Sequence, residues 1–184
     1  MAMPAVLPLI AVFTVLGMLD GANPFYFQSR VGKDNRIFRM WKLRSMVPDA
    51  DFQLARLLER DPSAKAEWSI SQKLKKDPRV TAFGRFIRKF SIDELPQLWN
   101  VLRGDMSLVG PRPMMPEQRA LYPGQAYYHF RPGITGLWQV SQRNEGSFAS
   151  RAEFDQDYAE TISLKTDAWI LFSTVGVVFK GTGC

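Results

Sequence analysis

The sequence predicts an α+β fold, in which an apolar N-terminal helical segment, a β-hairpin and several amphipathic helices surround one small domain. Three observations predict it. Residues 1–19 carry no charge. Residues 25–44 form two short aromatic and β-branched runs on either side of Gly32–Asn35, the pattern of a hairpin. Beyond them, segments with helical apolar spacing alternate with turns rich in Gly and Pro. A chain of 184 residues supports one domain with a real core. The expected division is 1–22 for the apolar segment and 23–184 for the body.

Composition bounds the rest. Hydrophobic residues make up 46% of the chain and charged residues 23%, which excludes a disordered chain and a multispanning membrane protein. A net charge of +6 favours anionic partners: membrane lipid, nucleotide diphosphate or nucleic acid. Cys184 is the one cysteine, so no internal disulfide forms. His129 is the one histidine, which excludes histidine-cluster metal sites and Ser-His-Asp triads. No Walker A sequence and no Gly-x-Gly-x-x-Gly occurs.

The uncharged run is interrupted by Pro4 and Pro8. Pro8 removes a backbone donor and bends or breaks a helix. The run lacks a basic leader and a small-residue cleavage site, which argues against a cleaved signal peptide. Three readings stand: a spanning helix, a segment that enters a membrane and turns back at Pro8, or a buried helix over Leu9–Asp20. The hairpin then carries Arg30, Lys33, Arg36, Arg39, Lys42 and Arg44 among its aromatics. These form either a solvated face or a basic surface near lipid headgroups, with Lys42 and Arg44 facing a phosphate.

Further along, 49–60 reads as a helix and 62–78 as a polar, basic loop with a short helix. Residues 81–90 read as an amphipathic basic helix, with Phe83, Phe86, Ile87 and Phe90 on one side. Leu95–Arg103 reads as a short helix stopped by Gly104, with Ser91 and Glu94 placed for a capping box before it. Residues 114–130 have helical character after Pro116. Arg131–Val140 reads as a turn and then a strand, and 148–161 as a helix. Residues 168–179 form an apolar helix of core or interface, too short to span.

Asp93 and Glu94 are adjacent acids in an apolar frame, and Arg112 is fixed between Pro111 and Pro113. A nucleophilic or metal-binding acid pair beside a fixed cation suits chemistry on a phosphate ester. Both acids also fit the plainer role of helix capping, worth about 0.3–1 kcal/mol each.

From about Pro8 to Gly183 the chain resembles the bacterial sugar transferases, the monotopic phosphoglycosyl transferases. The resemblance rests on Gln28–Gly32, Lys42–Met46, Asp77–Thr81, Ser91–Gln97, Gly104–Pro113 and Arg131–Gly136, in order. It implies a re-entrant N-terminal membrane helix bent at Pro8, a hairpin and amphipathic interfacial helices around a small catalytic domain. It implies Asp93 as nucleophile and Glu94 as a ligand of Mg²⁺, the expected cofactor. Arg112 is implied to bind phosphate, and Lys42, Arg44, Arg88, Arg131 and Arg143 are assigned to substrate binding with it. The implied reaction moves a sugar-1-phosphate from a UDP-sugar to undecaprenyl phosphate and releases UMP. It is the first membrane step of exopolysaccharide assembly, at the cytoplasmic face of the bacterial inner membrane. The stretch Trp138–Asn144 looks closest to enzymes that use UDP-galactose or UDP-glucose. Two departures from the family pattern are visible: seven residues precede Pro8, fewer than the usual apolar arm, and Asn23-Pro24 replaces Gly-Pro. The expected partners are thus a UDP-sugar, a polyprenyl phosphate and membrane lipid, with no nucleic acid. A non-catalytic module that binds anionic lipid through the hairpin is the alternative, and it needs no Asp93.

Overall fold

The computed structural model describes residues 3–19, 22–72, 74–141 and 147–179. Helix α1 spans Met3–Gly17 and carries Pro8 inside it rather than at a reversal of the chain. Fifteen residues give about 22 Å, against about 30 Å of bilayer hydrocarbon. No helix among the described residues is long and apolar enough to cross a membrane. Leu7, Leu9, Val12, Val15 and Leu16 of α1 are exposed, while its Phe13 lies against Phe83 and Phe86 with ring centroids 6.4 and 6.3 Å apart.

The hairpin forms as expected, with β1 (Phe25–Val31) antiparallel to β2 (Ile37–Leu43). Its turn holds Asp34 and Asn35 at φ 53° and 63°, a left-handed geometry these short polar residues tolerate. The register pairs Tyr26 with Lys42, Gln28 with Met40 and Arg30 with Phe38, so these six share one face. The other face stacks Phe27 on Trp41 at 4.7 Å and Arg39 over Phe27 at 4.8 Å. Lys42 and Arg30 thereby share one face, and the Phe27–Trp41 pair lies on the other.

Helices α2 (Ala50–Arg60) and α3 (Pro62–Ser71) follow, and neither buries a residue. The ten-residue α3 replaces most of the expected loop. Asp61 accepts from Ser63 N and Ala64 N at 2.8 and 3.1 Å, and Pro62 occupies the first turn, where its missing donor is not needed. Helix α4 (Ala82–Lys89) is capped by Thr81, whose Oγ1 accepts from Gly84 N at 2.8 Å. A Cβ on Gly84 would stand 1.8 Å from Ser45 O, so the helix can dock here only on a glycine.

The expected helix over Leu95–Arg103 is shorter. Ile92–Glu94 form a 3₁₀ turn of their own, and α5 runs Gln97–Arg103 after Pro96. The expected capping box is not formed: Ser91 stands at the cap position with φ 55° and makes no capping bond through its side chain. Asn100 of α5, fully buried, donates to Arg39 O at 2.8 Å and accepts from Trp41 N at 3.0 Å, completing the free edge of β2.

Strands β3 (Ser107–Val109) and β4 (Gly133–Thr135) pair in parallel. Their backbones approach so closely that a Cβ on Gly110, Gly133 or Gly136 would fall 2.1–2.4 Å from a backbone atom of the other segment or of β4 itself. The helical character expected over 114–130 resolves into two 3₁₀ turns, Pro116–Leu121 and Ala126–His129. Trp138–Val140 lie in a helix, α6 (Leu137–Ser141), not in the expected strand. Helices α7 (Arg151–Thr161) and α8 (Leu164–Phe179) complete the body. One core gathers Val31, Met114, Tyr122, Tyr127 and Phe148. A second gathers Val109, Tyr158 and Ile170.

Candidate active site

The hairpin's inward face, α2, α3 and the turn before α5 enclose a cavity of about 660 Å³. Asp93 and Glu94 lie on it, and Asp93 is only 6% exposed. Lys42 reaches across from β2: its Nζ stands 2.9 Å from Glu94 Oε1 and 3.6 Å from Asp93 Oδ2. Arg112 approaches Glu94 Oε1 from the other side at 3.9 Å. The 3₁₀ turn makes this possible, because it sends successive side chains in different directions around one bend. Ser91, at positive φ just before the pair, is held in a conformation its residue type rarely adopts. Asp49 and Gln72, also at positive φ, line the same cavity.

Burial raises the Asp93 carboxyl above its ordinary range. Lys42 opposes the shift, the neighbouring Glu94 adds to it, and Arg88 and Arg112 oppose it further. A cation between the two acids therefore matters, and Lys42 occupies that position. Two carboxylates suit Mg²⁺, which takes one or two protein acids together with substrate phosphates. Among the described residues no group of three or more His, Cys, Asp or Glu forms a dedicated metal cage. The donor set thus fits a metal held jointly with substrate.

The predicted cations part company. Lys42, Arg88 and Arg112 converge on the acids. Arg88 donates from Nε to Ser45 Oγ at 2.8 Å and interacts electrostatically with Asp93. Arg44 borders the cavity but donates from Nε to Asn23 O, from one terminal nitrogen to Met46 O and from the other to Gly17 O, at 2.7, 3.2 and 3.2 Å. That ties the carboxyl end of α1 to the hairpin, where a cation suits the helix dipole. Arg131 is exposed and lies beside Gly104, off the cavity wall. Arg143 lies outside the described residues.

Two cations that the sequence did not single out as site residues complete the arrangement. Arg30, on the hairpin face shared with Lys42, and Arg151, at the start of α7, meet Arg112 around a recess of about 130 Å³. Lys42, Glu94, Gln97 and Gln118 also line it. Arg151 is sandwiched against Trp138 and Phe148, with its guanidinium carbon 4.5 Å from each ring centroid. The Nε atoms of Arg30 and Arg151 are buried without a hydrogen-bond partner. Burial lowers Arg151 to about 9, and repulsion from Arg112 and Arg30 adds to this; Arg30 falls to about 10 for the same reasons. Both stay charged at neutral pH. Four cations and one carboxylate around so small a space favour an anionic ligand, which would offset their repulsion. Hairpin parity could have pointed to Arg30. Nothing in the sequence brings Arg151 to it.

Residues 1–181 match the family described as bacterial sugar transferase. The chain is 50% identical over 179 residues to the UDP-galactose-lipid carrier transferase of Erwinia amylovora, a match covering 96% of this chain and 38% of that protein. It is 49% identical to the undecaprenyl-phosphate galactose phosphotransferase of Salmonella typhimurium, over 89% of this chain and 35% of that one. It is 42% identical to the exopolysaccharide production protein ExoY of Sinorhizobium fredii, over 97% of this chain and 83% of that one. The chain thus spans less than two fifths of the first two relatives and most of the third.

Proposed function

The chain belongs to the bacterial sugar transferase family, and from that premise we propose that it moves a sugar-1-phosphate from a UDP-sugar, galactose or glucose, to undecaprenyl phosphate and releases UMP. The observation that carries the reading is the buried Asp93 beside the half-buried Glu94, both within reach of Lys42 and the latter also near Arg112. The names of the relatives support the donor and acceptor classes.

In this reading an Asp93 carboxylate oxygen attacks the β-phosphorus of the donor. The bond from that phosphorus to the bridging oxygen breaks, and UMP departs with the electron pair. The sugar phosphate is left on Asp93 as an acyl phosphate. A phosphate oxygen of undecaprenyl phosphate then attacks the same phosphorus and releases the Asp93 carboxylate. One site thereby handles two anionic substrates in turn. Lys42, Arg88 and Arg112 oppose the burial that raises the Asp93 carboxyl and so favour its ionised, attacking form. Arg30, Arg112 and Arg151 hold the diphosphate and neutralise charge on the leaving UMP. Trp138 and Phe148 keep Arg151 in place. Glu94, with the bound diphosphate, would hold Mg²⁺, which supplies charge neutralisation at the phosphates.

Helix α1 is read as entering the bilayer from the cytoplasmic face without crossing it, since its length falls short of the hydrocarbon core. The deciding experiment is the intact mass of the protein after incubation with UDP-galactose or UDP-glucose alone. An added sugar phosphate, absent in Asp93→Asn, is the expected result. An adduct that persists in Asp93→Asn places the nucleophile elsewhere.

A further inference from the structure

Glu94, beside Asp93, also borders a second space with different chemistry. A cavity of about 270 Å³ adjoins the polar one and shares Ser91, Glu94 and Arg112 with it. Away from those three its walls are mostly apolar, with Thr135 and Thr174 hydrogen-bonded to each other at 2.7 Å. Leu98 of α5, Leu108 and Ile134 of the small parallel sheet, and Leu171 and Val178 of α8 face it. Within this apolar lining sits Gln139 of α6. It is 7% exposed, and neither its amide nitrogen nor its oxygen has a hydrogen-bond partner among the described residues. Buried amides are ordinarily paired, and this one is open to a polar group of a ligand or to water.

The cavity also faces the apolar exterior. Phe90 lines one side, and its ring stacks edge-on with Phe86 at 5.4 Å, which in turn meets Phe13 of α1 at 6.3 Å. The opposite side is α8, whose outer surface exposes Leu164, Trp169 and Phe172. An apolar chain resting on α8 would therefore reach Glu94 and Arg112 along a mostly apolar wall.

We propose that this cavity receives the acceptor: the first isoprene units of the polyprenyl chain lie between α5 and α8, and Gln139 and Arg112 bind its phosphate. The assignment rests on the transferase reading above and adds to it where the second substrate sits. The space joins a cation at the acid-pair end to mostly apolar walls in which Gln139 is the one amide among the lining residues. The donor, with its diphosphate, needs more charge around it, and the larger cavity supplies that in Arg30, Lys42 and Arg88. The two substrates thus reach the acid pair from different sides, one after the other, and share Arg112.

The test uses the full chain in lipid nanodiscs and two independent readouts. First, a farnesyl phosphate analogue bearing a photoreactive diazirine is crosslinked to the wild-type protein and the labelled peptides are mapped. Label on α5 or on the Leu171–Val178 face of α8, competed by undecaprenyl phosphate, is expected. Label confined to other segments, or none that is competed, overturns the proposal. Second, Leu98→Trp and Val178→Trp fill the space from opposite walls. Each should raise the KM for undecaprenyl phosphate by about tenfold or more, the scale of losing two buried methylenes. An unchanged KM in both variants overturns it. The UMP burst of the wild-type protein with UDP-sugar and no acceptor is recorded alongside. Its absence defeats the transferase reading, whereas the crosslinking map still decides whether the cavity holds a prenyl phosphate.

Discussion

At the scale of single residues, the site holds its charges against the fold's preference. Asp93 is buried with its carboxyl raised, so the folded state favours the protonated acid. The sign follows: across the window between the unfolded and folded pKa values the native state binds the extra proton, and stability falls as pH rises. Burying an acid at this position therefore costs the fold stability as pH rises. Asp93→Asn should melt at a higher temperature than the wild type at pH 7.5 while losing transfer by at least about a thousandfold. A lower melting temperature would mean that the carboxylate is held by its cations better than its burial implies. Asp155 behaves likewise in the core. Burial pushes it up to about 7, although Tyr122 Oη donates to its Oδ2 at 2.8 Å and Arg151 also pulls it down. Against an unfolded value of about 3.9, stability should decline from about pH 4 to 7 and level off above. Asp155→Asn keeps an acceptor for Tyr122 and removes that slope, so its advantage over the wild type should grow between pH 4.5 and 7.5. Equal differences at both pH values would refute it.

At the scale of elements, local signals decided what forms and long-range ones decided where it stops. The hairpin was legible because alternation and a Gly32–Asn35 turn are both local. Helix α3 was legible too, since Asp61-Pro62 is a cap followed by a first-turn proline, and α3 is the short helix expected within 62–78, longer than its polar composition suggests. The end of β4 was not legible. Ile134, Trp138 and Val140 read as a strand, but the contact of Gly136 with Gly110 stops the chain and starts α6. Close backbone approach also fixes α4. Gly84→Ala would set a methyl against Ser45 O, and because that neighbour is backbone it cannot move aside cheaply. The cost should be about 1–3 kcal/mol or more in chemical denaturation, and Arg88, bonded to Ser45, should be displaced with it. A variant as stable and as active as the wild type would show that α4 is not seated through this contact.

At the scale of the whole molecule, the polar machinery is inside and much apolar surface is outside. Val12 and Val15 of α1, Phe86 of α4 and Phe172 of α8 are all more than half exposed, and Phe172 is 86% exposed. A chain carrying +6 with so much exposed hydrocarbon fits an anionic bilayer surface. Phe172→Glu should weaken co-flotation with anionic vesicles by about tenfold or more, given the usual worth of one buried Phe, without lowering the melting temperature. Unaltered flotation would remove α8 from the membrane face. For α1, cysteines placed at Ala2 and Gly21 in a Cys184→Ser background should both be labelled from the cytoplasmic side. Labelling of one of them from the opposite side only would mean that the segment crosses.

The sequence by itself determined the reactive vocabulary. An adjacent acid pair, an arginine between prolines, an uncharged first segment and a basic hairpin are all written in neighbouring residues, where spacing and residue type suffice. Only the tertiary structure decided which cations serve the acids. Lys42 and Arg88 turn inward, Arg44 instead ties down α1, and Arg131 stays on the surface. Arg151 arrives from α7, beside Trp138, to join Arg30 and Arg112. That selection depends on contacts between residues far apart in the chain, and such contacts are set by packing: a methyl group too many at Gly84 or Gly136 would move the walls that bring these charges together.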